Sequence, residues 1–116
     1  MAESFIALGS NVGDRQAHLQ AACEALRQLP QTDLLQTSSW IETDPLSSPL
    51  QGKYLNGVVR IQTTLSPQAL LAQLQAVEVK LGRPRSHEAW GPRTIDLDLI
   101  AYDSKVLESP ELTLPH

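Results

Sequence analysis

Asp96 and Asp98 stand two residues apart in the stretch WGPRTIDLDLI, Trp90 to Ile100. Side chains on a strand alternate between faces, so the two carboxylates share one side, about 6.6 Å apart along the backbone, while Ile95, Leu97 and Leu99 take the other. One reading of this alternation is a solvated strand face above a core stripe. The other is a cation site. Asp is disfavoured in strands, and two like charges placed close together in the most apolar strand of the chain carry an energetic cost that a hard divalent cation removes. Mg²⁺ takes oxygen ligands, usually one or two carboxylates completed by water and substrate phosphates, and paired ions in phosphoryl-transfer sites lie ~3.5 to 4 Å apart, which this spacing suits. Just upstream are Arg83, Arg85 and Arg93, with His87 and the single acidic residue Glu88 among them. Guanidinium groups match phosphate oxygens bidentately. A lone arginine in a loop is ordinarily solvated, but three of them ahead of an Asp-x-Asp strand favour polyphosphate plus Mg²⁺ as the joint reading. Trp90, in the same stretch, stacks on a ring or fills a local core, and the sequence leaves both open.

A third cluster is Tyr54, Asn56 and the corner from Thr43 to Leu46. Tyr54 and Asn56 alternate onto one face of a strand, setting a flat aromatic surface beside an amide that both donates and accepts, a pair able to hold a heterocycle. Edge packing of Tyr54 and a strand-end role for Asn56 are the plain alternatives. The remaining polar candidates have ordinary structural roles as their default. Ser10 and Asn11 read as turn and cap formers, Gln75 and Glu78 as a surface pair three apart on a helix, His18 as exposed and Cys23 as a small core residue.

These side chains need a scaffold, and the hydrophobic pattern supplies one. Ser4 to Leu8 is an apolar run closed by the turn formers Gly9 to Asp14, which marks a first strand. Leu19, Ala22, Cys23, Leu26 and Leu29 recur at helical spacing from Arg15 until Pro30. Leu34 to Thr43 suits a second strand, Pro45 to Gly52 a loop, and Tyr54 to Thr64 a third strand. Ser66 followed by Pro67 is an N-cap with proline in the first turn of a second helix. Its buried stripe is Leu70, Leu71, Leu74, Val77 and Leu81, and Gly82 stands where a left-handed cap belongs. Arg83 to Pro92 is irregular, Thr94 to Tyr102 is a fourth strand, and Val106 to His116 is a tail that adds a short edge strand. The order β-α-β-β-α-β predicts an α+β, ferredoxin-like (split βαβ) antiparallel sheet with two helices on one face and the other face open.

The 116 residues carry 41% hydrophobic and 19% charged side chains and a formal charge of −4. A single domain is expected. The acidic balance argues against a nucleic-acid or anionic-membrane surface, so any anion site is local. One cysteine excludes an internal disulfide and a cysteine-only zinc cluster. No signal peptide and no membrane helix is apparent, and a cytoplasmic protein is the expectation. The glycine-rich phosphate loop, the dinucleotide fingerprint, the zincin motif and the protein-kinase signatures are all missing.

Taken together, IALGSN, the Thr43 to Leu46 corner, YLN at Tyr54 to Asn56, RPR at Arg83 to Arg85, WGPRTIDLDLI and LTLPH resemble the 6-hydroxymethyl-7,8-dihydropterin pyrophosphokinase family across essentially the whole chain. The resemblance implies transfer of diphosphate from ATP to the pterin hydroxymethyl group in folate biosynthesis, with release of AMP, by a monomer. It implies that Asp96 and Asp98 hold two Mg²⁺ ions, and that Arg83 and Arg93 contact the phosphates and stabilise the moving charge. Arg85 and Trp90 would belong to a closing loop, Trp90 on the pterin side and Arg85 on the ATP side. Tyr54 would stack on the pterin within a surround of Thr43, Asn56 and the Leu46 backbone, while Gln75, Glu78 and His116 would serve ATP. The competing reading is a non-catalytic member that binds ATP or a pterin, or acts as an interaction module. Family members generally continue beyond the Pro-His pair, bringing a second pterin aromatic and another arginine, so the expectation is one domain over 1–116 without that extension. Ser86 takes a position that is basic in some relatives.

Overall fold

The computed structural model describes residues 1–43, 53–82, 95–104, 107–108 and 113–114. Strand β1 (Ala2–Ser10) is followed by helix α1 (Arg15–Arg27), then β2 (Thr32–Thr37), β3 (Ile41–Thr43), β4 (Tyr54–Thr63), helix α2 (Pro67–Lys80) and β5 (Asp96–Tyr102). The main sheet runs β2-β4-β1-β5, every pairing is antiparallel, and β3 adds to β4. Because β4 lies between β1 and β2, the first βαβ unit is split, as the ferredoxin-like expectation requires.

Period-two alternation sorts the sheet into two faces. Ile6 and Leu8 of β1 stand opposite Val59 and Gly57 of β4 on one side and Leu99 and Leu97 of β5 on the other. Their side chains, with Ile61, are buried with Leu19, Ala22, Cys23 and Leu26 of α1 and Leu70, Leu74 and Val77 of α2 in one core. Both helices therefore cover the same face. Each of these large aliphatic side chains, taken out of water, contributes about 1.5–3 kcal/mol. Burial also pushes the Cys23 thiol above its ordinary range, as fits a core residue.

Local chemistry sets the helix ends. The Asp14 carboxylate accepts from the Ala17 amide at 3.1 Å and starts α1, so Asp14 is the cap, and not Ser10 or Asn11. Ser66 caps α2 through the Ala69 amide at 3.1 Å, with Pro67 behind it. Gly82 follows α2 at φ +103°, the left-handed stop that its position foretold.

Three expectations change. Gly9 and Ser10 belong to β1 and do not end it, because β4 offers Asn56 and Leu55 as ladder partners. The second strand breaks in two at Ser38. There the backbone N–H donates to the Val58 carbonyl while the Ser38 hydroxyl accepts from the Val58 amide, both at 2.9 Å, so a side chain stands in for the carbonyl of a continuing ladder. Among the described residues the tail adds no strand to the main sheet: β6 (Leu107–Glu108) and β7 (Thr113–Leu114) pair with each other. In α2, Leu71 and Leu81 are only partly buried, at the edge of the predicted stripe.

The break at Ser38 also places Trp40. Its ring packs against the core beside Gly57, where an added Cβ would overlap the Trp40 six-membered ring. Gly57→Ala should therefore force the indole out and lower stability by about 1–3 kcal/mol. Denaturant midpoints, together with a red-shifted Trp40 emission in a Trp90→Phe background, check this.

Candidate active site

The face away from the helices collects the chemistry. Gly9 of β1 stands opposite Asn56 of β4 and, on its other flank, opposite Asp96 of β5; two residues earlier, Ala7 stands opposite Val58 and Asp98. Thr43 and Ile41 of β3 extend the row, opposite Tyr54 and Asn56. Opposed residues in an antiparallel sheet project to the same side, so Thr43, Tyr54, Asn56, Gly9, Asp96, Ala7 and Asp98 share one surface. Two strand spacings, roughly 10 Å, separate the Asn56 and Asp96 backbones. The central strand offers only Gly9 and Ala7 between them, leaving a shallow floor with an amide and an aromatic at one end and two carboxylates at the other.

Gly9 has a specific steric job. A Cβ there would lie 3.0 Å from the Asn56 amide oxygen and 3.3 Å from Tyr54 Cδ1. Its absence lets the Tyr54 ring and the Asn56 oxygen lean over the floor. Asn56 Nδ2 donates to the Thr43 hydroxyl at 2.6 Å and approaches the Ile41 carbonyl at 3.5 Å, which turns the amide so that its oxygen faces Gly9. An acceptor aimed across the floor beside an aromatic ring can receive an N–H of a flat heterocycle. Reading Gly9 as a turn former missed this residue. The available signal was a glycine continuing an apolar strand, which marks close approach of other groups to the backbone.

At the other end, Asp98 is exposed and Asp96 half-buried, while Leu97 and Leu99 anchor β5 in the core. Among the described residues, no group of three or more His, Cys, Asp or Glu side chains is placed to hold a metal ion. The two carboxylates project from the same face of β5 as a pair of hard oxygen donors.

Glu78 departs from its surface default. It is 6% exposed, and its carboxylate accepts from the Leu97 backbone amide at 2.8 Å. Leu97 lies between the two aspartates on an edge strand, so α2 satisfies an amide that β1 does not and holds β5 at that point. Gln75, one turn earlier on α2, is exposed as expected. His18 is half-buried instead of exposed, with Nδ1 3.3 Å from the Ser10 hydroxyl. Leu46, Arg83, Arg85, Trp90, Arg93 and His116 lie outside the described residues.

Glu78→Ala should destabilise the fold by about 1–3 kcal/mol by leaving the buried Leu97 amide without its acceptor. Glu78→Gln, which keeps an oxygen there, should cost clearly less. Equal denaturation midpoints for the two variants would contradict this account.

Comparison with known proteins bears on the same residues. A family model described as 7,8-dihydro-6-hydroxymethylpterin-pyrophosphokinase matches residues 5–116. A 2-amino-4-hydroxy-6-hydroxymethyldihydropteridine pyrophosphokinase of Haemophilus influenzae is 42% identical over 116 residues, covering 100% of this chain and 72% of that protein. Proteins of the same name from Pseudomonas aeruginosa and Bacillus subtilis are 41% and 42% identical, each over 97% of this chain and over 68% and 67% of their own lengths. With a match that runs from Phe5, inside β1, through β4 and β5, this chain belongs to the 7,8-dihydro-6-hydroxymethylpterin-pyrophosphokinase family.

Proposed function

We propose that the chain transfers diphosphate from ATP to 6-hydroxymethyl-7,8-dihydropterin, releasing AMP, as a step of folate biosynthesis. The observation that carries this reading is the single row on the open face of the sheet. A heterocycle site at Tyr54 and Asn56 lies two strands from a carboxylate pair at Asp96 and Asp98, and family membership supplies the reaction. The pterin lies against Tyr54, its edge N–H groups directed to the Asn56 oxygen, with Thr43 and the Leu46 backbone completing the surround. Its hydroxymethyl group then points along the floor toward β5.

The hydroxyl oxygen attacks the β-phosphorus of ATP; the bond from that phosphorus to the oxygen bridging the α-phosphate breaks, and AMP departs. Little covalent work falls to the protein, so positioning and charge stabilisation dominate. Asp96 and Asp98 fit Mg²⁺, because two carboxylates on one strand face are hard oxygen donors of the kind Mg²⁺ takes together with water and phosphate oxygens. Two bound Mg²⁺ ions would neutralise charge on the phosphates. The family resemblance supports Arg83 and Arg93 as the side chains that stabilise the moving phosphoryl group, Arg85 and Trp90 as closing-loop residues that exclude water, and Gln75, Glu78 and His116 on the ATP side. A supply of ATP supports a cytoplasmic setting. No helix among the described residues is long and apolar enough to cross a membrane.

AMP formation from Mg-ATP and the hydroxymethyl-dihydropterin tests the reading directly. Chelation should abolish turnover and added Mg²⁺ restore it. Asp98→Ala should keep the circular dichroism and melting temperature of the parent yet lose roughly a thousandfold or more in kcat/KM, the scale expected when charge stabilisation in phosphoryl transfer is removed. Binding of both substrates without AMP release by the parent protein would instead favour a non-catalytic family member.

A further inference from the structure

Strand β3 carries Thr43 to the open face, yet no burial among the described residues holds it there. Ile41, Glu42 and Thr43 are all exposed, Ile41 at 64%, so burial cannot fix the strand. Its bonds are three ladder pairings to β4 and the Asn56 contacts to Thr43 and Ile41. A further clamp comes from helix α1. The Arg15 guanidinium reaches two acceptors in different segments: Nη2 donates to the Glu42 carboxylate at 2.7 Å, and Nη1 donates to the Lys53 carbonyl at 2.9 Å. Lys53 Nζ stands 3.9 Å from the other Glu42 oxygen. The Arg15 hydrogen bond and charge hold the Glu42 carboxyl below the ordinary carboxylate range, so the pair stays ionised at neutral pH.

The side of the sheet on which this happens decides what it does. Glu42 pairs with Leu55, and Leu55 with Ser10, whose side chain is buried on the helix-covered face; Thr43, Tyr54 and Asn56 project the opposite way. Arg15 therefore grips β3 and the residue before Tyr54 from behind the site, and among the described residues its bonds are to Glu42 and Lys53 alone. A planar fork bridging two acceptors fixes both distance and orientation, which a flexible ammonium cannot do.

We propose that Arg15 is a positioning residue for the pterin half of the site, setting the spacing between Thr43 on β3 and Tyr54 on β4 by clamping Glu42 and the Lys53 carbonyl from the back of the sheet. This rests on the pterin pyrophosphokinase reading above. Substrate at Asp96 and Asp98 lies two strands away and is untouched by the clamp. The effect is thus selective for one substrate.

Steady-state kinetics on Arg15→Ala, Glu42→Gln and the double variant test the assignment. Each single variant should raise the pterin KM roughly three- to tenfold while the ATP KM and kcat stay within about twofold, and the double variant should be no worse than Arg15→Ala alone. Arg15→Lys, keeping charge without the fork, should recover only part of the loss. Hydrogen exchange at the β3 amides should quicken in Arg15→Ala, a readout independent of turnover. Unchanged pterin KM in both single variants would overturn the assignment, as would both KM values rising together with a fall in melting temperature. Additive losses in the double variant would also overturn it. If the parent protein itself makes no AMP, the activity reading fails and the assignment with it. That case is distinct from a normal parent whose variants behave identically to it.

Discussion

Because a strand turns successive side chains to opposite faces, the register of β1 against β4 and β5 decides which residues of this protein can act together. Gly9 between Asn56 and Asp96, and Ala7 between Val58 and Asp98, put an amide-and-aromatic end and an acidic end on one surface. A slip of one residue on either side would send the aspartates or Asn56 into the core and bring Leu97 or Leu55 outward. The apolar alternation resists that slip. Ile6, Leu8, Val59, Ile61, Leu97 and Leu99 are all nearly or fully buried, and moving any strand out of phase would expose several of them at once.

Core packing and site geometry are thus one problem solved by one pattern, and the polar exceptions mark where more is needed. Glu78 is a buried carboxylate, and accepting from the Leu97 amide of β5 offsets part of the cost of its burial. The bond fixes the backbone midway between Asp96 and Asp98. Asp103 closes the far end of the same strand by accepting from the Glu3 amide at 2.7 Å, while its own N–H donates to the Glu3 carbonyl. β5 is consequently held on both sides along its length, as suits a strand whose carboxylates must not drift.

The opposite flank is built otherwise. β3 is short and wholly exposed, and polar contacts rather than burial hold it against β4. Solvent screens an exposed ion pair, so Arg15 and Glu42 add little to global stability. Their value lies in geometry: one guanidinium bridges two backbone segments that burial leaves loosely constrained. A rigid acidic edge and a weakly buried recognition edge across a common floor allow the second to be tuned without disturbing the first.

Patterns that need no distant partner were legible in the amino-acid order. The Asp-x-Asp alternation placed both carboxylates on the open face, Ser66-Pro67 and Gly82 bracketed the second helix, the order of elements gave the split βαβ arrangement, and IALGSN and WGPRTIDLDLI pointed to the family. Each rests on local geometry, a strand's period of two or a cap's reach of three residues. What depended on residues far apart in the chain was decided only when the sheet assembled. Gly9 became a floor between Asn56 and Asp96 because β4 and β5 flank it. Ser38 broke a strand because Val58 met its hydroxyl, Trp40 found its socket at Gly57, Glu78 sank into the core against Leu97, and Arg15 closed on Glu42 and Lys53. Sequence spacing encodes which face a side chain takes; which partner it meets there is set by strand order and register, and those arise only from packing the whole chain.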